Sequence, residues 1–145
     1  AADFFRKGIG IVTPHRAQQA AVFERLATAL AGRVDENEIF AAVDTVERFQ
    51  GQEKTVMIAS FGLGDKDQIA AEEVFLFNLN RFNVTASRAK AKFIGIMSRR
   101  LVDHLPSDKD ALIESRLLKH FVDGVLRRTD RISVQGFEEC WLHRA

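Results

Sequence analysis

The sequence is short of the residues and patterns that several classes of protein require. Cys140 is the only cysteine among the 145 residues, so an internal disulfide and a zinc site built from several cysteines are both excluded. A single cysteine suits a reducing compartment, and we therefore expect a cytoplasmic protein. The longest purely apolar runs, such as residues 56–59, are only a few residues long, so we expect no membrane partner.

The usual nucleotide-binding and hydrolytic signatures are also missing. No Gly-Lys pair occurs, which excludes the phosphate loop G-x-x-x-x-G-K-[ST], and the dinucleotide fingerprint G-x-G-x-x-G is absent too. The histidines show no i,i+4 spacing typical of a metal site, and there is no G-x-S-x-G elbow. The sequence therefore predicts no metal site, and no complete nucleotide site formed by this chain alone.

What the sequence does contain is an ordinary globular composition with an uneven distribution of charge. Hydrophobic residues make up 46% and charged residues 28%, and the net charge is +1. Residues 35–73 carry ten acidic and three basic residues, a net charge of −7, whereas residues 74–102 carry six basic residues and no acidic one. The second segment could be a set of solvated faces or a local anion site.

The apolar pattern alternates between short strands and amphipathic helices. We predict strands over residues 8–13, 39–43, 54–61 and 93–97, and helices over residues 16–31, 80–90 and 107–128. Residues 62–67 should form a loop, and residues 129–145 an extra strand or a tail. Strands that alternate with helices predict an α/β fold with a mainly parallel sheet flanked by helices, in a single domain.

Three polar stretches adjoin the ends of these strands. They are T-P-H-R-A-Q from Thr13, T-V-E-R-F-Q-G-Q-E-K from Thr45 and R-F-N-V-T-A-S-R-A-K from Arg81. The first lies at the carboxyl end of a strand and the second begins at one, which is where open α/β sheets bind their ligands.

In this order and at this spacing, the three stretches resemble motifs IV, V and VI of superfamily 1 helicases of the Upf-like (1B) branch. That branch typically carries T-P-Y-x-x-Q, T-V-D-x-F-Q-G-x-E-K and R-x-N-V-A-x-T-R-A-K. The resemblance covers about residues 8–126 and implies a RecA-like fold for residues 1–145. The chain also lacks an initiator Met, so we expect the second, C-terminal RecA-like domain of a longer protein.

The resemblance implies a nucleotide site and a role for each of its residues. Arg88 would be the arginine finger on the γ-phosphate of ATP, because a planar cation suits charge spread over several oxygens. Glu53 would accept hydrogen bonds from the ribose hydroxyls, and Gly51 would let the backbone pass close to the phosphates. Gln50 and Arg81 would line the same cleft.

The resemblance also implies a path for single-stranded nucleic acid, either DNA or RNA. Its residues would be Thr13, Pro14, His15, Thr45 and Val46, which would contact the backbone of the strand without reading its sequence. The phosphate loop and the Mg²⁺ ligands of the family lie on the first, N-terminal RecA-like domain, which would be the partner of this one. We therefore expect a monomeric fragment that is inactive by itself.

Three departures from the family pattern keep an alternative open. His15 replaces the usual Tyr, Glu47 replaces Asp, and the stretch 85–87 replaces Ala-x-Thr. The alternative is a degenerate RecA-like module that binds protein or nucleic acid without turning over ATP. A free-standing flavodoxin-like or receiver domain is a third reading, but the chain lacks the phosphate loop or acidic cluster that it would need.

Overall fold

A computed structural model describes residues 4–49, 51, 53–126, 128–136 and 140–144 of the chain. Four parallel strands form the central sheet in the order β2-β1-β3-β4. Their bounds are Ile9–Thr13 (β1), Val43–Thr45 (β2), Lys54–Ser60 (β3) and Ala89–Ile96 (β4). The predicted α/β, RecA-like arrangement is therefore confirmed.

Seven helices accompany the sheet in the described part of the chain. They are Arg16–Ala29 (α1), Glu36–Ala42 (α2), Lys66–Ala71 (α3), Glu73–Leu76 (α4), Leu79–Ser87 (α5), Arg99–Asp103 (α6) and Lys109–His120 (α7). A π-helical turn, Phe4–Gly8, precedes β1, a 3₁₀ turn, Val46–Phe49, follows β2, and a second π-helical turn, Phe121–Val125, extends α7. None of the described helices is long and apolar enough to cross a bilayer.

Alternating side chains of the strands reach the cores on the two faces of the sheet. Ile11 packs with Ile39 and Val43 beneath α1 and α2. Its neighbour Val12 points the other way, as strand geometry requires, and packs with Phe49 and Met57. A third cluster joins α3 to α7 through Ile69, Leu76, Phe77, Leu101 and Leu118.

The predicted strand at residues 39–43 is wrong over most of its length. Residues 36–42 form α2, and only Val43 belongs to β2. The side chain of Asp35 caps α2 by accepting a hydrogen bond from the backbone N–H of Asn37. Ile39 and Ala42 are buried and lie three residues apart, which is helical spacing, so packing under α1 decides the conformation.

Other predictions differ from the structure mainly at element boundaries. Helix α5 ends at Ser87 rather than at residue 90, and β4 begins at Ala89 rather than at residue 93. The predicted helix over residues 107–128 is α7 followed by the second π-helical turn. The predicted loop at residues 62–67 ends at Asp65, whose side chain caps α3. The tail contains two antiparallel strands, Arg128–Ile132 (β5) and Cys140–Arg144 (β6), which form a sheet of their own.

Candidate nucleotide and strand sites

The parallel sheet has two edges of functional interest, and the predicted residues divide between them. The amino edge is where β3 and β4 begin, and it carries Gly51, Glu53 and Arg88. The carboxyl edge is where β1 and β2 end, and it carries Thr13, Pro14, His15, Thr45 and Val46. Gln50 lies outside the described residues.

Strand pairing brings the amino-edge residues together. Lys54 of β3 is paired in register with Ala89 of β4, and the backbone N–H of Lys54 donates to the Arg88 carbonyl at 3.0 Å. Glu53 and Arg88 therefore each stand one position before a paired residue, directly before the neighbouring strands β3 and β4. The Glu53 carboxylate is 3.1 Å from Lys90 Nζ, and both side chains are more than half exposed. Gly51 has a φ of +84°, which favours glycine, and it is exposed.

Arg88 has an unfilled hydrogen-bonding position at this edge. It forms the C-cap of α5 and is half-buried. Its Nε is buried and has no hydrogen-bond partner in the structure. Buried polar groups nearly always have a partner, so this nitrogen is a donor that an anion would satisfy after a rotation of the side chain.

A buried lysine holds the amino edge to the start of the chain. Lys54 is only 4% exposed. Its ammonium donates to the backbone carbonyl of Arg6 and lies 5.9 Å from the centre of the Phe49 ring. Burial lowers the pKa of Lys54, because removal from water disfavours the charged form. Lys54 thus fixes the first residue of β3, which directly follows Glu53.

At the carboxyl edge, Thr13 and Thr45 are paired in register at the ends of adjacent strands. Thr13 is 0% exposed, and its hydroxyl donates to the His15 carbonyl at 3.2 Å. In this structure the buried Thr13 hydroxyl supports the backbone of His15, and its predicted contact with single-stranded nucleic acid stays a prediction. Thr45 is half-buried, and its backbone N–H donates to Asp44 Oδ1 at 2.8 Å. Pro14 and Val46 are also half-buried and line one cavity.

His15 is held at this edge by an aromatic stack. Its ring lies 5.3 Å from the Phe75 ring, centre to centre, with 17° between the planes. The Arg81 guanidinium carbon lies 3.9 Å from the centre of the same Phe75 ring. His15 Nε2 is 2.7 Å from Glu72 Oε2, and the side chains of His15 and Glu72 are 34% and 37% exposed.

The structure places Arg81 away from the residues with which it was predicted to act. Arg81 lies in the first turn of α5, against Phe75, and lines the carboxyl-edge cavity with Pro14 and Val46. Arg88 lies at the opposite end of this helix, seven residues or about 10 Å along its axis. Arg81 and Arg88 therefore lie at different edges because α5 runs from one edge to the other, and the predicted role of Arg81 in a nucleotide cleft stays a prediction.

Sequence reasoning missed Glu72 and Phe75, whose side chains form a wall beside His15 at the carboxyl edge. Glu72 and Phe75 come from the segment around α4, which no motif covers. Gln18 is part of the first stretch, and its side chain donates to Ser60 Oγ at the end of β3 at 2.9 Å. It also packs against Gly62, where a Cβ would come within 2.1 Å of the Gln18 amide nitrogen and where φ is +57°. The motif revealed Gln18, but only the fold shows its contacts.

Glu73 anchors α4, and hence Phe75, to the rest of the domain. It is 6% exposed and accepts hydrogen bonds from Ser107 and Asp108 backbone N–H groups and from the Ser107 hydroxyl. His104 Nε2 lies 3.0 Å from the same carboxylate. Hydrogen bonding from His104, followed by the Asp108 N–H, lowers the pKa of Glu73 to about 2.

The residues at the amino edge suit part of a nucleotide. Arg88 offers a cation with an unpartnered N–H, and Glu53 offers a carboxylate for a sugar diol. The described residues contain no group of three or more His, Cys, Asp or Glu side chains placed to hold a metal ion. The sequence contains no phosphate loop, so these residues would supply only one side of such a site.

Comparisons with known proteins agree with these features. A family model described as "AAA domain" matches residues 2–100, more than half of the chain. The chain is 33% identical over 111 residues to the DNA replication ATP-dependent helicase/nuclease DNA2 of Bos taurus, which covers 70% of this chain and 10% of that protein. It is 39% identical over 97 residues to the putative helicase mov-10-B.1 of Danio rerio, which covers 61% of this chain and 9% of that protein.

The RNA helicase Mov10l1 of Mus musculus is also similar, with 36% identity over 91 residues, which cover 61% of this chain and 7% of that protein. The chain thus spans about a tenth or less of the length of these relatives. The matched family, the helicase relatives and the parallel four-stranded sheet agree on one family. The chain belongs to the AAA domain family, as the C-terminal RecA-like region of Upf-like superfamily 1 helicases.

Proposed function

We propose that this chain is the second motor domain of an ATP-dependent helicase that acts on DNA or RNA. In this proposal the amino edge faces the nucleotide and the carboxyl edge holds the single strand. The observation that carries the proposal is the division of the motif residues between two edges of one sheet. Glu53 and Arg88 lie at one edge, and His15, Thr45 and Val46 lie at the other.

At the amino edge, Arg88 acts on the terminal phosphate. A guanidinium keeps its charge and presents several N–H donors in a plane, which suits an oxyanion whose charge increases in the transition state. Its buried Nε has no partner, and a rotation of the side chain would turn this donor towards that oxyanion. Glu53 accepts hydrogen bonds from the ribose, and Gly51 gives the backbone room near the phosphates. The first RecA-like domain would supply the phosphate loop and the Mg²⁺ ligands, and water would accept the γ-phosphoryl group of ATP.

At the carboxyl edge, the contacts are those of a protein that binds a backbone without reading bases. Thr45 is paired with Thr13 at the ends of adjacent strands, and Val46 and His15 follow these two residues along the chain. Thr13 holds the His15 backbone, and Phe75 holds its ring. Hydroxyl, amide and imidazole groups bind phosphate and sugar, so affinity should depend little on sequence.

The decisive experiment replaces Arg88 in a protein that joins this chain to its first RecA-like domain. Arg88→Ala should leave ATP binding largely intact and lower kcat, because a finger acts mainly on the transition state. The loss should exceed tenfold and could reach the 10³–10⁵ range known for arginine fingers. Arg88→Lys should rescue poorly, since a point charge does not reproduce the planar fork. The measurement is steady-state ATP hydrolysis with saturating single strand.

The matched control is Arg25→Ala, which removes an exposed arginine on α1. It should leave kcat unchanged, and thermal unfolding of each variant checks the fold. An Arg88→Ala variant that keeps more than about a tenth of the wild-type kcat, a loss below about 1.4 kcal/mol, would contradict the proposed role. Such a result would favour the binding module without ATP turnover.

A further inference from the structure

We propose that the Glu72 carboxylate occupies, on His15, the position that a phosphate of the bound single strand takes. Strand binding then displaces Glu72, so this residue sets the affinity of the carboxyl edge. The inference rests on the proposed function of that edge and adds a residue that none of the three motifs contains.

The contact between Glu72 and His15 is close but incomplete. Glu72 Oε2 lies 2.7 Å from His15 Nε2, yet this buried nitrogen makes no hydrogen bond of acceptable geometry. A buried nitrogen without a well-aligned partner is unfavourable. A phosphate oxygen in the plane of the ring would satisfy it better. Both side chains are about one third exposed, so a ligand can reach the pair from solvent.

His15 keeps its position when Glu72 leaves. Its ring is stacked on Phe75, and its backbone carbonyl accepts a hydrogen bond from the Thr13 hydroxyl. Arg81 lies against Phe75 as well and adds positive charge to the same wall. The imidazole edge is therefore presented to whichever anion occupies the position of Glu72.

The Glu72 side chain can move because the hydrogen bonds that Glu72 makes to α3 come from its backbone. Its N–H donates to the Gln68 and Ile69 carbonyls at the end of α3. The next residue, Glu73, differs sharply, because its carboxylate is buried in a network of hydrogen bonds. A rotation of the Glu72 side chain breaks the contact with His15 and leaves the bonds of both helices in place.

The test measures single-strand affinity by fluorescence anisotropy, with a labelled oligonucleotide of mixed sequence at low salt. Glu72→Gln keeps the size of the side chain and removes its charge, and should tighten binding about fivefold, the upper range for a partly exposed ion pair. Glu72→Ala should do the same, and serves if the first variant folds poorly. Glu24→Gln on α1, an exposed carboxylate away from the stack, is the matched control and should change affinity by less than twofold.

The double variant Glu72→Gln/His15→Ala separates the specific effect from a general one. It should bind no more tightly than His15→Ala alone, because the competitor matters only while His15 is present. An equal gain from Glu24→Gln, a gain that persists without His15, or no gain at all would overturn the proposal. If the wild-type chain binds no single strand even at low salt, the proposed function of this edge fails, and this inference fails with it.

Discussion

The two edges of the sheet carry similar residues in different environments, as a comparison of Glu53 with Glu73 shows. Glu53 at the amino edge is 56% exposed in its side chain and pairs with Lys90, which is 61% exposed. Glu73, which anchors the wall of the carboxyl edge, is buried and accepts hydrogen bonds from three residues. The carboxylate of Glu53 is accessible to a ligand, whereas the carboxylate of Glu73 is used in hydrogen bonds that hold the fold together.

The same contrast holds for the cations. Arg88 at the amino edge has a buried Nε without a partner, whereas Arg81 at the carboxyl edge lies on the ring of Phe75. In the proposed function, the amino edge is one half of a nucleotide site that the first RecA-like domain completes. The carboxyl edge is a largely preformed surface with its own aromatic wall. This difference predicts which ligand the chain can bind by itself.

The largest effect should be seen when both ligands are offered to the chain alone. ATP should bind with a Kd weaker than about 1 mM, or about −4 kcal/mol, because half of its ligand shell is absent. A single strand should show measurable binding at low salt, because its contacts lie on this chain. Calorimetry with ATP and anisotropy with an oligonucleotide give the two values. A micromolar Kd for ATP would mean that the amino edge is complete.

The second effect is on stability, and it tests whether Glu73 really holds the carboxyl-edge wall. Glu73→Gln should lower the free energy of unfolding by about 1–3 kcal/mol, because an amide cannot accept the same set of hydrogen bonds. Glu53→Gln, the matched change at the amino edge, should stay within about 0.5 kcal/mol. Chemical denaturation measures both. Equal losses would show that the two carboxylates are not held differently.

Acid should reproduce the effect of the Glu73 substitution. Folding lowers the pKa of Glu73 from 4.5 to about 2, so the unfolded chain binds more protons in this range. The contribution of Glu73 is thus fully present above pH 4.5 and is lost as the pH falls towards 2. The stability of the wild-type chain should fall more steeply over this window than that of Glu73→Gln. Parallel pH profiles would contradict the assignment.

A smaller effect concerns salt. Each phosphate neutralised on a single strand contributes a slope of about −0.7 in log K against log salt. The groups at Thr45 and Val46 are uncharged, so few phosphates are neutralised, and affinity should fall by less than about tenfold between about 50 and 200 mM salt. Anisotropy titrations with two unrelated sequences test this. Binding that is selective for one sequence and insensitive to salt would be incompatible with contacts to the backbone alone.

The smallest effect should come from Lys90. Its ion pair with Glu53 is exposed, and pairs of this kind contribute about 0–1 kcal/mol. Lys90→Gln should change the free energy of unfolding no more than Lys92→Gln, an exposed neighbour on the same strand. Denaturation curves for the two variants provide the comparison. A larger loss of unfolding free energy for Lys90→Gln than for Lys92→Gln would show that this ion pair stabilises the fold. It would contradict the view that Glu53 is accessible to a ligand.

The motifs predicted where the strands end, because they combine an apolar strand with the polar residues that follow it. Thr13 and Thr45 were expected at strand ends, and they are paired there. The prediction of a strand over residues 39–43 was wrong because five apolar residues suit a strand or a buried helix turn equally well. The cap formed by Asp35 and packing beneath α1 decide for the helix, and the second of these is a tertiary effect.

The aromatic stack could not be predicted for a similar reason. His15 and Phe75 are sixty residues apart, and no local pattern relates them. Arg81 and Arg88 belong to one motif, so the sequence suggested one cleft for both. Their separation follows from the direction in which α5 crosses the sheet, which is a property of the fold rather than of the motif.

The course of α5 has a mechanical consequence. The helix has nine residues and is about 13 Å long, and it is stiff along its axis because each turn is bonded to the next. The carbonyl of Arg88 at its end is bonded to β3, and Arg81 in its first turn lies on the wall that supports His15. A displacement imposed on Arg88 along this axis should therefore also shift Arg81. The helix thus links the two edges of the sheet mechanically as well as by sequence.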